Sequence, residues 1–207
     1  MAKIDITFSQ FCNYLAKTGM HRFNAAKAIN RELHTDYLIS TDYWGPLRSQ
    51  ISHILSHSGK SEDLDFVLDK VSVDKKANYT SKIKGLKKFW GCKKLVKVSL
   101  NKKIWKYKNL RVKVAPELCY SYRDQIYAIK LFFSSADKKI TKNEADLLLE
   151  IMKDSYDLNP NEVKIGILDV TKGKVFYYSN HSSDLLNFVQ TEADGLCKIL
   201  EQLENKA

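Results

Sequence analysis

The chain has 207 residues and a mass of 23.9 kDa, and 44% of its residues are hydrophobic and 28% charged. With only 8 Gly and 3 Pro, this composition excludes disordered, collagen-like and low-complexity proteins. No apolar run approaches the roughly 18 residues of a membrane span, and the first residues do not resemble a secretory signal. The four cysteines are scattered without CxxC spacing. We therefore expect a cytoplasmic protein that has no contact with a membrane.

Residues 1–73 are predicted to form a helical N-terminal region. Thr7 and Gln10 have the spacing of a capping box, in which each side chain accepts a hydrogen bond from the backbone of the other residue. Further helices are predicted over 21–33, from Pro46 to just before Gly59, and over 61–71.

Residues 74–207 are predicted to form an α+β domain, a small mixed sheet flanked by helices. A lysine-rich helix over 75–90 comes first, and Gly91 suits its C-terminal cap. Alternating apolar residues then predict strands, and Thr141 and Glu144 form a second capping box that opens a helix. The predicted elements are strands 95–100, 110–114, 118–122, 126–133, 163–170 and 175–178, helix 141–156 and a last helix from 183.

The positive charge is concentrated in one stretch of the chain. Residues 75–113 contain 15 Lys and Arg and no Asp or Glu, whereas the whole chain has a net charge of +10. A solvated surface normally mixes both signs, so an acid-free stretch of this length indicates a polyanionic partner. Nucleic acid is the polyanion we expect, because the lysines span several elements and do not line one membrane-binding helix.

Aromatic residues lie among these lysines. Tyr79 and Trp90 fall at helical spacing and are predicted to face the core. Trp105, between Lys103 and Lys106, is instead predicted to be exposed and to stack on a base. The candidate nucleic-acid-binding residues are Lys82, Lys84, Lys87, Lys88, Lys93, Lys94, Lys102, Lys103, Trp105, Lys106, Tyr107 and Lys108.

A candidate catalytic pair follows the basic stretch. Glu117 comes after Pro116 at the start of a predicted strand, and Lys130 lies on the next one. A carboxylate that holds a divalent cation and a lysine that orients water would suit phosphodiester cleavage. The same residues also fit an exposed turn acid and a solvent-facing strand lysine, and this alternative stays open.

The Pro-Glu and Lys residues, and the order helix, three strands, helix, strand, resemble the PD-(D/E)xK nuclease superfamily. The resemblance implies a restriction-endonuclease-like core in which Glu117 is an acidic metal ligand and Lys130 the motif lysine. Segments 43–48, 77–79, 85–90, 116–118 and 129–132 also resemble a group of uncharacterised bacterial proteins. That second resemblance implies no activity.

The motif departs from the superfamily pattern at Ala128, where a second acid is expected two residues before Lys130. Since Mg²⁺ usually needs one or two carboxylates plus substrate oxygens, Glu117 alone would hold it weakly, and Glu144 or Asp146 would have to supply another ligand. We therefore expect a nucleic-acid-binding protein with a nuclease-like core that is catalytically degenerate. The alternatives are an active Mg²⁺-dependent nuclease that uses Glu117 and Lys130, and a module that binds an acidic protein. The oligomeric state is not evident from the sequence.

Overall fold

A computed structural model describes residues 3–35, 42–57, 59–133, 140–156, 162–179 and 183–205. The helices are α1 (Phe8–Leu15), α2 (Gly19–Leu33), α3 (Gly45–Ser56), a 3₁₀ helix (Ser61–Asp69), α4 (Val73–Trp90), α5 (Lys142–Tyr156) and α6 (Ser183–Glu204). The strands are β1 (Ile4–Thr7), β2 (Val96–Lys97), β3 (Lys103–Tyr107), β4 (Leu110–Val114), β5 (Leu118–Tyr122), β6 (Gln125–Phe132), β7 (Val163–Asp169) and β8 (Lys174–Tyr177). No described helix combines the length and the apolar character that crossing a bilayer requires.

Both predicted capping boxes are confirmed. Thr7 Oγ1 accepts from the Gln10 backbone N–H, and Gln10 Oε1 accepts from that of Thr7. Thr141 and Glu144 make the same reciprocal pair at the start of α5. Because these side chains satisfy N–H groups that lack a partner in the first turn, the two helix starts were predictable from a local pattern.

Two strands were not predicted. Residues 4–7 form β1 ahead of α1, so the N-terminal region is not purely helical. Residues 103–107 form β3, which was interpreted only as a basic aromatic segment. Each strand is short and mixes polar with apolar residues. Each becomes a strand because it pairs with β4, a partner that the local pattern does not reveal: β1 pairs with β4 in parallel and β3 pairs with it antiparallel.

The larger sheet has the order β2-β5-β6-β7-β8. Strands β6 and β7 are parallel and joined through α5, while the other neighbouring pairs are antiparallel. Strands β5 and β6 form a hairpin, and Arg123 and Asp124 at its tip have positive φ angles of 50° and 60°, as its two-residue turn requires. Along the chain, helix α4 is followed by strands β2, β5 and β6, helix α5 and strand β7, whereas β4, the strand predicted over 110–114, belongs to a separate sheet with β1 and β3.

Two hydrophobic cores lie on opposite faces of this sheet. The first core joins α1, α2, α5, α6 and the β1-β4-β3 sheet to residues such as Ile167. The second core joins α3, the 3₁₀ helix and α4 to residues such as Ile129 and Leu168. Ile167 and Leu168 point to different faces because side chains alternate along a strand. The predicted α+β class, a mixed sheet flanked by helices, is confirmed.

The predicted division into 1–73 and 74–207 stays a prediction. The first core takes Phe11 from the N-terminal region and Leu149 from the α+β region. The second core likewise combines Leu47 with Leu86. Each core therefore draws apolar side chains from both sides of the predicted boundary.

Candidate nucleic-acid interface

The predicted binding lysines belong to two groups on opposite faces of the five-stranded sheet. Residues 82–94 lie on α4 or just after it, next to the second core. Residues 102–108 lie on or beside β3, whose Trp105 packs in the first core. The acid-free stretch is therefore continuous in sequence and divided in space.

Four exposed lysines from two elements line one open pocket of about 360 Å³. Lys84 and Lys88 come from α4, while Lys172 lies in the β7–β8 turn and Lys174 directly after it, at the start of β8. Gly85 and Thr171 complete the lining, which contains no acid. Among the described residues, none of the four lysines has an ion-pair partner. We call these four lysines the turn cluster.

The turn cluster depends on close contact between α4 and the β7–β8 turn. A Cβ atom on Gly85 would lie 1.9 Å from the Val170 carbonyl oxygen, so only glycine allows this approach. Gly173 has a φ of +64°, and a Cβ atom there would lie 2.4 Å from the Gly85 carbonyl oxygen. The backbone of the turn therefore rests directly on the helix and holds the two pairs of lysines beside each other.

Lys82, one of the predicted binding residues, is only 5% exposed and does not present its charge at the surface. Its Nζ donates to Thr171 Oγ1 at 2.5 Å and lies 5.9 Å from the centre of the Trp44 ring. Burial lowers the pKa of Lys82, and the nearby Asp169 carboxylate opposes that shift. Lys82 therefore ties α4 to the turn beneath the surface.

The remaining α4 lysines have different surroundings. Lys87 forms an ion pair with Asp65 of the 3₁₀ helix at 2.6 Å. Lys93 is half-buried, donates to the Phe89 carbonyl and has a pKa that burial lowers. Lys94 is exposed. Of the six lysines predicted on this side, Lys84, Lys88 and Lys94 are thus the ones that present an exposed charge with no ion pair among the described residues.

We call Lys102, Lys103, Lys106 and Lys108 of the β3–β4 hairpin the hairpin surface. All four are exposed. Lys108 pairs with Asp194 of α6 at 2.7 Å, and neighbouring Arg111 lies 3.5 Å from Asp5 of β1. Acids from distant parts of the sequence therefore offset part of the charge on this surface.

Trp105 was predicted to be an exposed stacking residue, and this is wrong. Its side chain is 2% exposed and stacks between Phe11 and Tyr107, with ring centres 5.8 and 6.0 Å away. Its indole N–H donates to the Asp154 carboxylate at 2.8 Å. Tyr107 is half-buried beside it. Pairing with β4 turns this face of β3 inward, which the lysine-rich local sequence conceals.

Glu117 and Lys130, the predicted catalytic pair, form an ion pair with each other. Lys130 Nζ donates to Glu117 Oε1 and to the Ala115 carbonyl at 3.2 Å. Glu117 Oε2 accepts from the Leu131 backbone N–H at 2.9 Å. The two side chains are only 12% and 17% exposed, and Lys130 Nζ lies 5.8 Å from the centre of the Phe8 ring. The pair is therefore partly buried and joins the residue before β5 to β6.

The positions that would complete a metal site have other partners. Ala128 is 1% exposed and has no side-chain oxygen. Glu144 caps α5, and Asp146 pairs with Lys142 at 2.6 Å. In the part of the chain that is described, no group of three or more His, Cys, Asp or Glu residues could hold a metal ion. On this evidence, Glu117 is better suited to its ion pair with Lys130 than to holding Mg²⁺.

Lys172 and Lys174 were missing from the predicted binding residues. They lie outside the acid-free stretch, in a segment interpreted only as a turn. The one local signal was that the turn combined two lysines with a glycine. Its proximity to α4 depends on a contact between residues more than 80 positions apart, which no local pattern contains.

Comparison of the chain with models of protein families, with curated proteins and with solved structures found no match in any of the three.

Proposed function

We propose that this protein binds nucleic acid through the turn cluster and does not cleave it. The observation that carries the proposal is the open pocket lined by Lys84, Lys88, Lys172 and Lys174 without an acid. Several cations converging on one concave surface attract phosphate groups, and each lysine that contacts a phosphate releases counterions from the polymer. An affinity that falls steeply with salt is the expected signature.

The geometry of Glu117 and Lys130 supports binding without cleavage. Glu117 already accepts hydrogen bonds from Lys130 and from Leu131 N–H, and Ala128 offers no second carboxylate. To bind Mg²⁺, Glu117 would have to exchange these partners for a cation that usually needs more than one protein oxygen. The resemblance to the nuclease superfamily nevertheless implies catalytic roles for Glu117 and Lys130, so the test includes cleavage.

The test measures fluorescence anisotropy of labelled single- and double-stranded DNA and RNA between 50 and 200 mM salt. We expect Lys84→Ala with Lys88→Ala to weaken binding and to reduce the salt slope by roughly 0.7 to 0.9 for each lysine removed. The matched control is Lys102→Ala with Lys106→Ala, which removes the same charge from the hairpin surface. Equal losses in the two double variants would contradict the assignment to the turn cluster.

The same mixtures are incubated with Mg²⁺, with Mn²⁺ and with a chelator, and the substrates are then examined on gels. Substrates that stay intact in all three incubations support binding without cleavage. Metal-dependent cleavage that Glu117→Gln abolishes would replace the proposal with an active nuclease. If the protein bound none of the four substrates at 50 mM salt, nucleic acid would be the wrong partner and an acidic protein would become the leading candidate.

A further inference from the structure

A second pocket opens beside the edge strand β8. It has a volume of about 270 Å³ and lies where β6, β7 and β8 adjoin. Three tyrosines, one lysine and two aliphatic residues line it: Tyr127, Tyr177, Tyr178, Lys164, Val163 and Ile165. The lining contains no acid, so the pocket combines aromatic rings with a single positive charge.

Tyr177 is the most accessible ring of the pocket. It is 45% exposed and lies across Gly166, where a Cβ atom would come within 3.3 Å of the ring. The Tyr127 ring is 6.1 Å from it and stacks at 4.9 Å on buried Tyr120. The rings are thus held in place before any ligand binds, which limits the entropy lost on binding.

Lys164 supplies the charge beside these rings. Its Nζ lies 5.9 Å from the centre of the Tyr127 ring, and the residue is paired with Tyr127 across the parallel strands. A planar ligand that stacks on tyrosine and carries a phosphate matches both features. A nucleotide in a single strand has this chemistry, whereas the bases of a duplex are already stacked and paired.

The tyrosine pocket and the turn cluster lie at opposite ends of β8. Lys174 begins the strand and Tyr177 ends it, a separation of about 10 Å at the usual rise of a strand. That distance is about three nucleotides at the 3.4 Å rise of a stacked strand. One strand of nucleic acid could therefore reach both places along the edge of the sheet.

We infer that the Tyr127–Tyr177 pocket stacks an unpaired base of a single-stranded polynucleotide whose neighbouring phosphates contact the turn cluster. This inference rests on the proposed function and adds to it a class of substrate and a second contact. The tyrosine rings contact the base, Lys164 contacts its phosphate, and the turn cluster contacts phosphates further along the strand.

The experiment compares oligothymidylate and oligouridylate with an abasic deoxyribose-phosphate chain of the same length and charge. For the unaltered protein, both base-bearing strands should bind about 5- to 150-fold more tightly than the abasic chain if one base stacks. Tyr177→Leu removes the ring and keeps an apolar side chain over Gly166. It should bring the affinity for base-bearing strands down to that for the abasic chain, and leave the abasic affinity and the salt slope unchanged.

Two controls separate stacking from a general structural effect. Tyr177→Phe retains the ring and should retain affinity. Phe188→Leu changes an aromatic residue that is also 45% exposed, on α6, and should change nothing. Equal wild-type affinity for base-bearing and abasic strands would overturn the stacking inference while the proposed phosphate binding stood. Binding to none of the three would overturn this inference, and it would overturn the proposed function only if double-stranded DNA and RNA also failed to bind. A loss in Tyr177→Leu shared by the abasic chain would also overturn stacking.

Discussion

The hairpin surface takes all its lysines from the acid-free stretch and the turn cluster takes two, Lys84 and Lys88, but the surroundings of the two groups differ. In the turn cluster, Lys84 and Lys88 of α4 meet Lys172 of the β7–β8 turn and Lys174 at the start of β8 around one pocket. On the hairpin surface, Lys108 and nearby Arg111 have acidic partners from α6 and β1. The comparison shows that a run of charge in the sequence does not predict a charged surface, because packing adds cations in one place and acids in another.

The largest expected effect comes from breaking the contact that forms the turn cluster. Gly85→Ala would place a Cβ atom 1.9 Å from the Val170 carbonyl oxygen. We expect α4 and the turn to move apart at a cost of about 3 kcal/mol in the free energy of unfolding, the upper part of the range for overpacking. Urea unfolding followed by circular dichroism measures the loss, and anisotropy should show weaker nucleic-acid binding.

The matched control for that prediction is Gly195→Ala in α6. There the new Cβ atom would lie 3.4 Å from the Tyr14 hydroxyl, an ordinary contact. Because alanine favours a helix over glycine by about 1 kcal/mol, this variant should be equally or more stable than the unaltered protein. Similar stabilities for the two variants would contradict the close approach at Gly85.

A second prediction contrasts the lysines of the turn cluster with Lys130, whose charge is paired with Glu117. Lys130→Met would leave the Glu117 carboxylate mostly buried without its cation, and we expect a loss of about 3 kcal/mol in the free energy of unfolding. Adding Glu117→Gln should recover part of the loss, since a neutral amide needs no cation and its oxygen can still accept from Leu131 N–H. Chemical unfolding of the single and double variants measures the coupling. Nucleic-acid affinity should stay unchanged in both, and a fall equal to that of the Lys84 and Lys88 double variant would instead link the pair to binding.

The smallest expected effect comes from a variant that removes the acids beside the hairpin surface, so that its cations lack ion-pair partners, as those of the turn cluster do. Asp194→Asn with Asp5→Asn removes the acids that pair with Lys108 and Arg111. The freed cations should raise nucleic-acid affinity a few-fold and steepen the salt slope by up to about 0.9 for each one that contacts a phosphate. Salt titrations followed by anisotropy measure the change. An unchanged slope would mean that bound nucleic acid does not reach the hairpin surface at all.

The candidate site was partly predictable from the sequence. Lys84 and Lys88 were identified as candidates from the charge run, whereas the ion pair between Glu117 and Lys130 was not predicted. The error on Trp105 has a definite cause: three lysines among the five residues after Asn101 suggested an exposed segment, while pairing with β4 turns the indole toward Phe11. The burial of Lys82 was likewise not predictable locally, because the residues beside it, Thr171 and Asp169, are nearly 90 positions away in the sequence.

The sequence by itself determined the local features of this protein. Capping boxes, helical spacing and alternating strands predicted most elements, since hydrogen bonds and apolar contacts within a few residues govern them. The tertiary structure alone decided which surfaces those elements share. It brought the β7–β8 turn onto α4, set acids beside the hairpin and grouped the tyrosines at the edge of the sheet, because such contacts depend on which distant segments pack together to bury apolar area.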